Sequence, residues 1–190
     1  KTGTKNVNVV HLGFDEEDFY NIDQNLDSNF SLLHTGLLGH DRNPEILFQA
    51  CREICEENEN FKNDLKIKIA GQIDYKVIKS ILNRDLSDNL ENIGYVSRRT
   101  ALELTINAQL LLLPLNISHN INGRIPGKFF EYIRSGRPII NFGPLDSDVA
   151  KIINDLNCGI TIEYNDLIGI KKYLISKFNQ YQEKTIENVN

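Results

Sequence analysis

A glycine, a lysine and a glutamate within residues 123–140 give this sequence its clearest chemical signal. The pattern there predicts a loop, a short helix over residues 126–135 and then a buried strand, with Lys128 and Glu131 in the first helical turn. Backbone N–H groups at a helix start, together with Gly127 and Lys128, suit a diphosphate, and the Glu131 carboxylate could accept two hydrogen bonds from a sugar diol. These residues favour binding of a nucleotide sugar. The alternative is that the charges only complement the helix dipole.

The loop after the first predicted strand, residues 35–44, offers a second contact for phosphate. It contains neither the glycine-lysine-serine/threonine of a P-loop nor the glycine spacing of dinucleotide-binding folds. Gly36 allows close backbone approach, and Arg42 stands just before a predicted helix, where its guanidinium suits a diphosphate. A solvated surface arginine is the alternative interpretation of Arg42.

The sequence predicts neither a bound metal nor another cofactor. Asp146-Ser147-Asp148 matches a metal-binding aspartate pattern of some sugar-transferring enzymes, but it precedes a predicted helix, where Asp and Ser are favoured caps. Cys51 and Cys55 are four residues apart on a predicted helix and have no third or fourth ligand nearby, so we expect small buried side chains.

Apolar strand-sized runs alternate with helical periodicity along most of the chain. Strands are predicted near residues 30–34, 65–70, 92–96, 110–113, 138–142 and 160–163, and helices near 44–57, 75–84, 98–107, 126–135, 147–157 and 166–181. This order is typical of an α/β, Rossmann-like, doubly wound parallel sheet of about six strands with helices on both faces. Ligands of such sheets bind beyond the carboxyl ends of the strands.

Three segments are predicted. Residues 1–29, with a short strand near 7–12, are interpreted as a connector, residues 30–182 as the nucleotide-sugar-binding domain, and residues 183–190 as a frayed polar tail. The sequence contains no methionine, which predicts that the chain is an excised piece of a longer protein.

Composition excludes some partners. The net charge of −5 argues against general affinity for nucleic acid, and no apolar run has the length needed to cross a bilayer. Three cysteines do not form a disulfide framework, so a reducing, cytoplasmic setting is expected.

Together these motifs resemble the C-terminal, donor-binding domain of GT-B-fold, group-1-type glycosyltransferases. The resemblance extends over nearly the whole chain, and its most specific part is the block Pro126-Gly127-Lys128-Phe129-Phe130-Glu131-Tyr132 followed by Gly136-Arg137-Pro138. The other matching segments are Val10 to Phe19, Leu33-His34-Thr35-Gly36 with Arg42-Asn43-Pro44, Ile69-Ala70-Gly71, Ile93-Gly94-Tyr95-Val96 and Ala108 to Pro114.

The resemblance implies roles for single residues. Glu131 would hold the ribose of a nucleoside diphosphate sugar donor, while Arg42 and Lys128 would lie near the diphosphate and assist catalysis. The remaining site residues would be Gly36 and Gly127, at the phosphates, and Gly94, Tyr95 and Val96, lining the base pocket. Gly123 stands where many retaining members carry a second glutamate, so that carboxylate contact is not expected.

The resemblance also implies a glycosyltransferase of polysaccharide or glycan synthesis. Its N-terminal acceptor domain would be absent from this chain, and this half alone is expected to be inactive. Peripheral association of the whole enzyme with a membrane stays open. A nucleotide-sugar epimerase of the same fold and a non-enzymatic α/β interaction module are the alternatives.

Overall fold

Six strands and seven α-helices alternate through residues 12–189, the part of the chain that this computed structural model describes. The strands are β1 Phe30–Thr35, β2 Leu65–Ala70, β3 Leu90–Gly94, β4 Leu110–Pro114, β5 Ile139–Phe142 and β6 Gly159–Ile162. The helices are α1 Glu45–Glu57, α2 Glu59–Asp64, α3 Tyr75–Leu82, α4 Arg98–Asn107, α5 Lys128–Ser135, α6 Asp148–Leu156 and α7 Leu167–Gln182. The strand predicted near residues 7–12 lies almost entirely outside the described residues.

The strands form one parallel sheet in the order β3-β2-β1-β4-β5-β6. The order reverses between β1 and β4, and a crevice opens at such a switch point beyond the carboxyl ends of the strands. Both strands are buried along their whole length, and β4 is a continuous apolar sequence, as is typical of strands covered on both faces. The predicted fold class is therefore confirmed.

Helices cover both faces of the sheet. One face packs against α1, α2, α3 and α7, with Phe30, Phe61 and Phe178 in mutual ring contact at its centre. The other face packs against α4, α5 and α6, where Phe129 and Tyr132 of α5 are fully buried. Successive side chains of each strand point to opposite faces, so the apolar strands supply both cores. Within residues 12–189, no helix combines the length and apolar character that a bilayer crossing requires.

Two elements differ from the sequence prediction. Helix α2 was not predicted, because its residues are polar apart from Phe61. Asn58 caps this helix by accepting a hydrogen bond from the Phe61 backbone N–H, 3.1 Å away, and Phe61 is buried. Strand β3 ends at Gly94, so Tyr95 and Val96 lie in the loop after it.

The connector packs against the domain through its described residues. Glu16–Phe19 form a 3-10 turn, and Phe19 is buried beside Leu102 and Ile106 of α4. Arg134 of α5 donates to the Glu16 carboxylate from Nε at 2.7 Å, and its guanidinium lies over the Phe19 ring. The connector is thus attached to the α4–α5 face of the sheet.

The polar tail contacts the domain near its end. Its described residues, 183–189, form neither helix nor strand, but Val189 N donates to Gly136 O at 2.7 Å and Asn188 contacts Arg137. Arg137 is fully buried, which lowers its pKa to about 10, and it donates to Ala108 O, Gln109 O and Asn188 Oδ1 at 2.7, 3.0 and 2.9 Å. A buried guanidinium needs acceptors on every side, and the tail provides one of them.

Candidate functional site

The residues predicted to contact the diphosphate, Gly36, Arg42 and Lys128, lie where the sheet order reverses. Gly36 follows β1 with φ +84°, a left-handed conformation that suits glycine, and its N–H donates to Ala70 O at 2.7 Å. The next loop approaches so closely that a Cβ on Gly71 would stand 2.2 Å from Gly36 O. These loops therefore keep an exposed backbone at the end of β1, without side chains in the way.

Lys128 begins α5 and directs its ammonium group to this edge. Its Nζ donates to Thr35 O, the last carbonyl of β1, and lies 3.3 Å from Nε2 of His34. A Cβ on Gly36 would be 3.1 Å from the same Nζ. Burial lowers the pKa of Lys128 to about 8, with the positive charge of Arg42 adding to the effect. A desolvated cation so placed favours an anionic ligand.

His34 is neutral and lies beside the Lys128 ammonium. Burial, and then the charge of Lys128, lower the pKa of His34 to about 3. Its Nδ1 lies 3.0 Å from Leu112 O, and its Nε2 lies 3.3 Å from Leu37 O and 3.3 Å from the Lys128 ammonium, so the shorter contact with a carbonyl and the neighbouring cation both favour the proton on Nδ1. The unprotonated Nε2 can then accept from the Lys128 ammonium, and His34 fixes the lysine without adding charge.

Arg42 lies at the same edge, but its guanidinium is partly neutralised. It ends the 3-10 turn His40–Arg42, and its Nε and Nη2 pair with the Asp41 carboxylate at 3.3 and 3.2 Å. This pair holds the pKa of Asp41 below its usual range. The backbone N–H of Ile117 donates to Asp41 O at 3.1 Å, so the turn also anchors the loop after β4. Sequence analysis missed the role of Asp41, although adjacent opposite charges were a readable signal.

Glu131, which the resemblance assigns to the ribose, forms an ion pair that the sequence did not reveal. Its Oε1 lies 2.9 Å from Nη1 of Arg98, the first residue of α4, and 22% of its side chain is exposed. The same arginine pairs with Asp18 of the connector. Arg98 is a site residue that sequence analysis missed. The signal was two arginines at a helix start, where cations oppose the helix dipole.

The predicted base-pocket residues lie at the end of β3, two strands from β1. Gly94 has φ +76°, Val96 is half-buried, and the Tyr95 side chain is exposed over 95% of its surface. Adjacent strands are about 4.8 Å apart, so roughly 10 Å separates β3 from β1. Arg98, two residues after Val96, links this loop to Glu131.

The start of α5 is open. Gly127 occupies the N-cap position with no side-chain cap, and a Cβ on Gly127 would meet no atom within 4 Å. In the first turn of α5, the N–H groups of Phe129 and Phe130 donate to Pro126 O and Gly127 O at 3.0 and 3.2 Å, so those of Gly127 and Lys128 are the ones left to serve an anion. A Cβ on Gly123 would lie 4.0 Å from the Asp148 carboxylate.

Of the residues 146–148 predicted to cap the helix, Ser147 is the cap, and Asp146 and Asp148 have other partners. Ser147 caps α6 by accepting from Ala150 N at 3.2 Å, while Asp146 accepts from Asn122 Nδ2 at 3.1 Å and Asp148 pairs with Lys151. Within residues 12–189, no three His, Cys, Asp or Glu side chains gather in a metal-binding group. Cys51 is buried, which raises its thiol pKa.

A separate groove opens at the opposite edge of the sheet. Asp27, Ser28 and Gln109 line it beside Tyr181, and these residues stand before β1 and β4 or at the end of α7. Its volume is about 700 Å³, but ligands of doubly wound sheets bind at the carboxyl ends of the strands. We therefore place the candidate site at Lys128.

No protein-family model and no curated protein matches this sequence. Several solved structures are similar to this chain. A mutant of S. aureus TarM, crystallised with fondaparinux, alpha-GlcNAc-glycerol and UDP, is 17% identical with a TM-score of 0.64 over 90% of this chain and 34% of that one. WaaG, a glycosyltransferase involved in lipopolysaccharide biosynthesis, is 18% identical with a TM-score of 0.62 over 84% of this chain and 40% of its own.

A third similar structure is a Listeria monocytogenes protein assigned as a UDP-N-acetylglucosamine 2-epimerase. It is 15% identical, with a TM-score of 0.58 over 86% of this chain and 41% of that one. The chain thus spans well under half the length of all three proteins, and at these identities the likeness establishes the fold alone. The fold that this chain shares with a domain-sized part of TarM and WaaG is that of GT-B glycosyltransferases.

Proposed function

We propose that this chain is the donor-binding half of a glycosyltransferase that moves a sugar from a nucleoside diphosphate sugar to an acceptor, in polysaccharide or glycan synthesis. The observation that carries the proposal is the half-buried Lys128 ammonium, held against the end of β1 beside the open backbone of Gly36. Glu131 stands in the same first turn of α5 and is only partly exposed. The Lys128 cation and the backbone of Gly36 suit the phosphates of a nucleotide sugar, and the Glu131 carboxylate suits its ribose diol.

The diphosphate would lie between Gly36 and the start of α5. The Lys128 ammonium and the backbone N–H groups of Gly127 and Lys128 would neutralise its oxygens, with Arg42 adding positive charge from the loop after β1. Breaking the bond between the sugar and the diphosphate leaves negative charge on the departing phosphate. Groups fixed in place before the reaction stabilise that charge without reorganising, and this is the catalytic role we assign to Lys128 and Arg42.

The nucleoside would extend from Glu131 towards the loop after β3. A carboxylate can accept from both hydroxyls of a ribose, and Gly94 leaves space for a base where Val96 offers apolar contact. The exposed Tyr95 ring is available for stacking against a base.

Titration calorimetry of this chain with UDP and GDP tests the proposal. We expect binding by the wild type, and a loss of about 1.5–3 kcal/mol in Glu131→Ala, the scale of a hydrogen bond to a charged group. Glu131→Gln should lose less, because one acceptor oxygen remains. Glu103→Ala is the matched control, since Glu103 is also a helical carboxylate paired with an arginine, Arg99 at 3.1 Å.

The variants should fold normally, because an exposed ion pair contributes at most about 1 kcal/mol to stability. The site assignment is wrong if neither nucleotide binds at millimolar concentration, or if Glu131→Ala binds as tightly as the wild type. It is also wrong if Glu103→Ala loses as much affinity as Glu131→Ala.

The epimerase alternative rests on the similar Listeria protein. The two activities differ in their products: an epimerase converts a nucleotide sugar into its isomer without an acceptor, whereas a transferase releases the nucleoside diphosphate as the acceptor is glycosylated. Chromatography of UDP- and GDP-sugars incubated with and without acceptor separates them. We expect this chain alone to bind donor and to give neither product, because the acceptor would be held by a further domain.

A further inference from the structure

Arg98 stands between two carboxylates that are far apart in sequence. Its Nε and Nη2 donate to Oδ2 of Asp18 at 3.0 and 2.5 Å, and its Nη1 lies 2.9 Å from Oε1 of Glu131. Asp18 belongs to the connector and Glu131 to α5, so one guanidinium spans the connector, α4 and α5.

We propose that Arg98 is a positioning residue that holds Glu131 in its ligand-binding orientation. In this proposal Asp18, in the connector, fixes the guanidinium of Arg98. The inference rests on the proposed function, in which Glu131 accepts hydrogen bonds from a ribose diol.

The position of Arg98 argues against an incidental surface pair. It is the first residue of α4, where a positive charge opposes the helix dipole, and Arg99 follows it directly. Both arginines point to the connector: Arg99 donates to Tyr20 O and Asn21 O at 2.9 and 2.6 Å. Ser97 already caps the helix through its hydroxyl, so the arginines contribute nothing to capping. Their common feature is attachment to the connector.

The geometry leaves Glu131 able to bind. The contact that Arg98 makes at 2.9 Å is with Oε1, and a carboxylate has about four lone-pair sites, so acceptor capacity remains for two hydroxyl donors. A glutamate side chain that must be ordered by its ligand loses rotamer entropy on binding. The ion pair to Arg98 restricts Glu131 beforehand, and the planar guanidinium is itself fixed by two bonds to Asp18.

The test compares nucleotides with and without the diol. The chain is titrated with UDP and GDP, and with the 2′,3′-dideoxy form of whichever binds. We expect Arg98→Ala to weaken binding of the ribonucleotide about three- to fivefold, the scale of one exposed ion pair, and to leave binding of the dideoxy form unchanged. Asp18→Asn should act in the same direction and less strongly. Adding Arg98→Ala to Glu131→Ala should cause no further loss.

Arg52→Ala is the control, because Arg52 is an exposed arginine paired with Glu56 on α1, on the other face of the sheet. Equal losses for the ribose and dideoxy forms, additive losses in the double variant, or a loss in the control would overturn the positioning role. Tighter binding by Arg98→Ala would overturn it too, since Arg98 would then compete with the ribose.

These results separate the inference from the proposed function. If Glu131→Ala weakens binding and Arg98→Ala does not, only the inference fails. If the wild type binds neither UDP nor GDP, or Glu131→Ala has no effect, the proposed function fails and the inference falls with it.

Discussion

The ammonium group of Lys128 is expected to make stability depend on pH. Burial lowers its pKa from 10.5 to about 8 in the folded protein, so between these values the unfolded chain binds more protons than the folded one. The free energy of unfolding therefore rises with pH across this window. Conversely, the stability gained by deprotonating Lys128 is lost as the pH falls through about 8. A full shift of this size corresponds to roughly 3 kcal/mol at about 1.4 kcal/mol per pKa unit. About 1 kcal/mol of it should appear between about pH 7 and pH 9, because the folded protein begins to lose the proton only near pH 8.

Lys128→Met isolates this contribution, because methionine has a similar length and does not ionise. Urea unfolding at pH 7, 8 and 9 should show the wild type gaining about 1 kcal/mol relative to Lys128→Met as the pH rises. Lys151→Met is the control: 62% of the Lys151 side chain is exposed, and the variant should follow the wild type at every pH. Parallel pH curves for the wild type and Lys128→Met would refute the reasoning that Lys128 is a desolvated cation.

Three other outcomes are expected. Gly71→Ala should lose about 2 kcal/mol or more of stability in urea unfolding, because the added Cβ would overlap Gly36 O. Gly127→Ala is the control: at φ −56° with open space around it, it should be neutral or slightly stabilising. His34→Gln should flatten the acid limb of the stability curve, since the depressed pKa of His34 removes stability as the pH falls from 6.5 towards about 3. Dialysis against a chelator should leave the melting temperature unchanged; a drop would reveal a structural metal.

The alternation of elements could be predicted because local pattern determines it. Helix α4 was predicted at residues 98–107, where the structure has it, since Ser97 is a favoured cap and the apolar strand β4 follows at once. The grouping of Gly36 with Lys128 was also predictable, because parallel strands end at the same edge of a sheet.

The partners of the charged groups could not be predicted. Arg98 reaches Asp18 and Glu131 across 80 and 33 residues of sequence, and only the packing of α4 against α5 and the connector brings them together. The contacts of the tail could not be predicted for a related reason. Its polar composition is typical of a frayed end, whereas the acceptor that Arg137 needs is a property of the folded core. A single sequence shows which hydrogen-bonding groups can find partners nearby in the chain. It does not show which residue will pair with a buried charge that lies far away in the sequence.

The docking of Asn188 on Arg137 has a consequence for synthesis of the protein. Asn188 Oδ1 accepts from Arg137 Nη1 at 2.9 Å and from Gln24 Nε2 at 3.3 Å, and its own Nδ2 donates to Gln24 Oε1 at 3.2 Å. A growing chain delivers Gln24 and Arg137 well before Asn188, so until Asn188 leaves the ribosome the guanidinium has its acceptors on Ala108 and Gln109 but not this third one. The sheet can form before that point, whereas closure of its connector side must follow the synthesis of Asn188, and a chain cut before this residue would lack the bridge between Arg137 and Gln24.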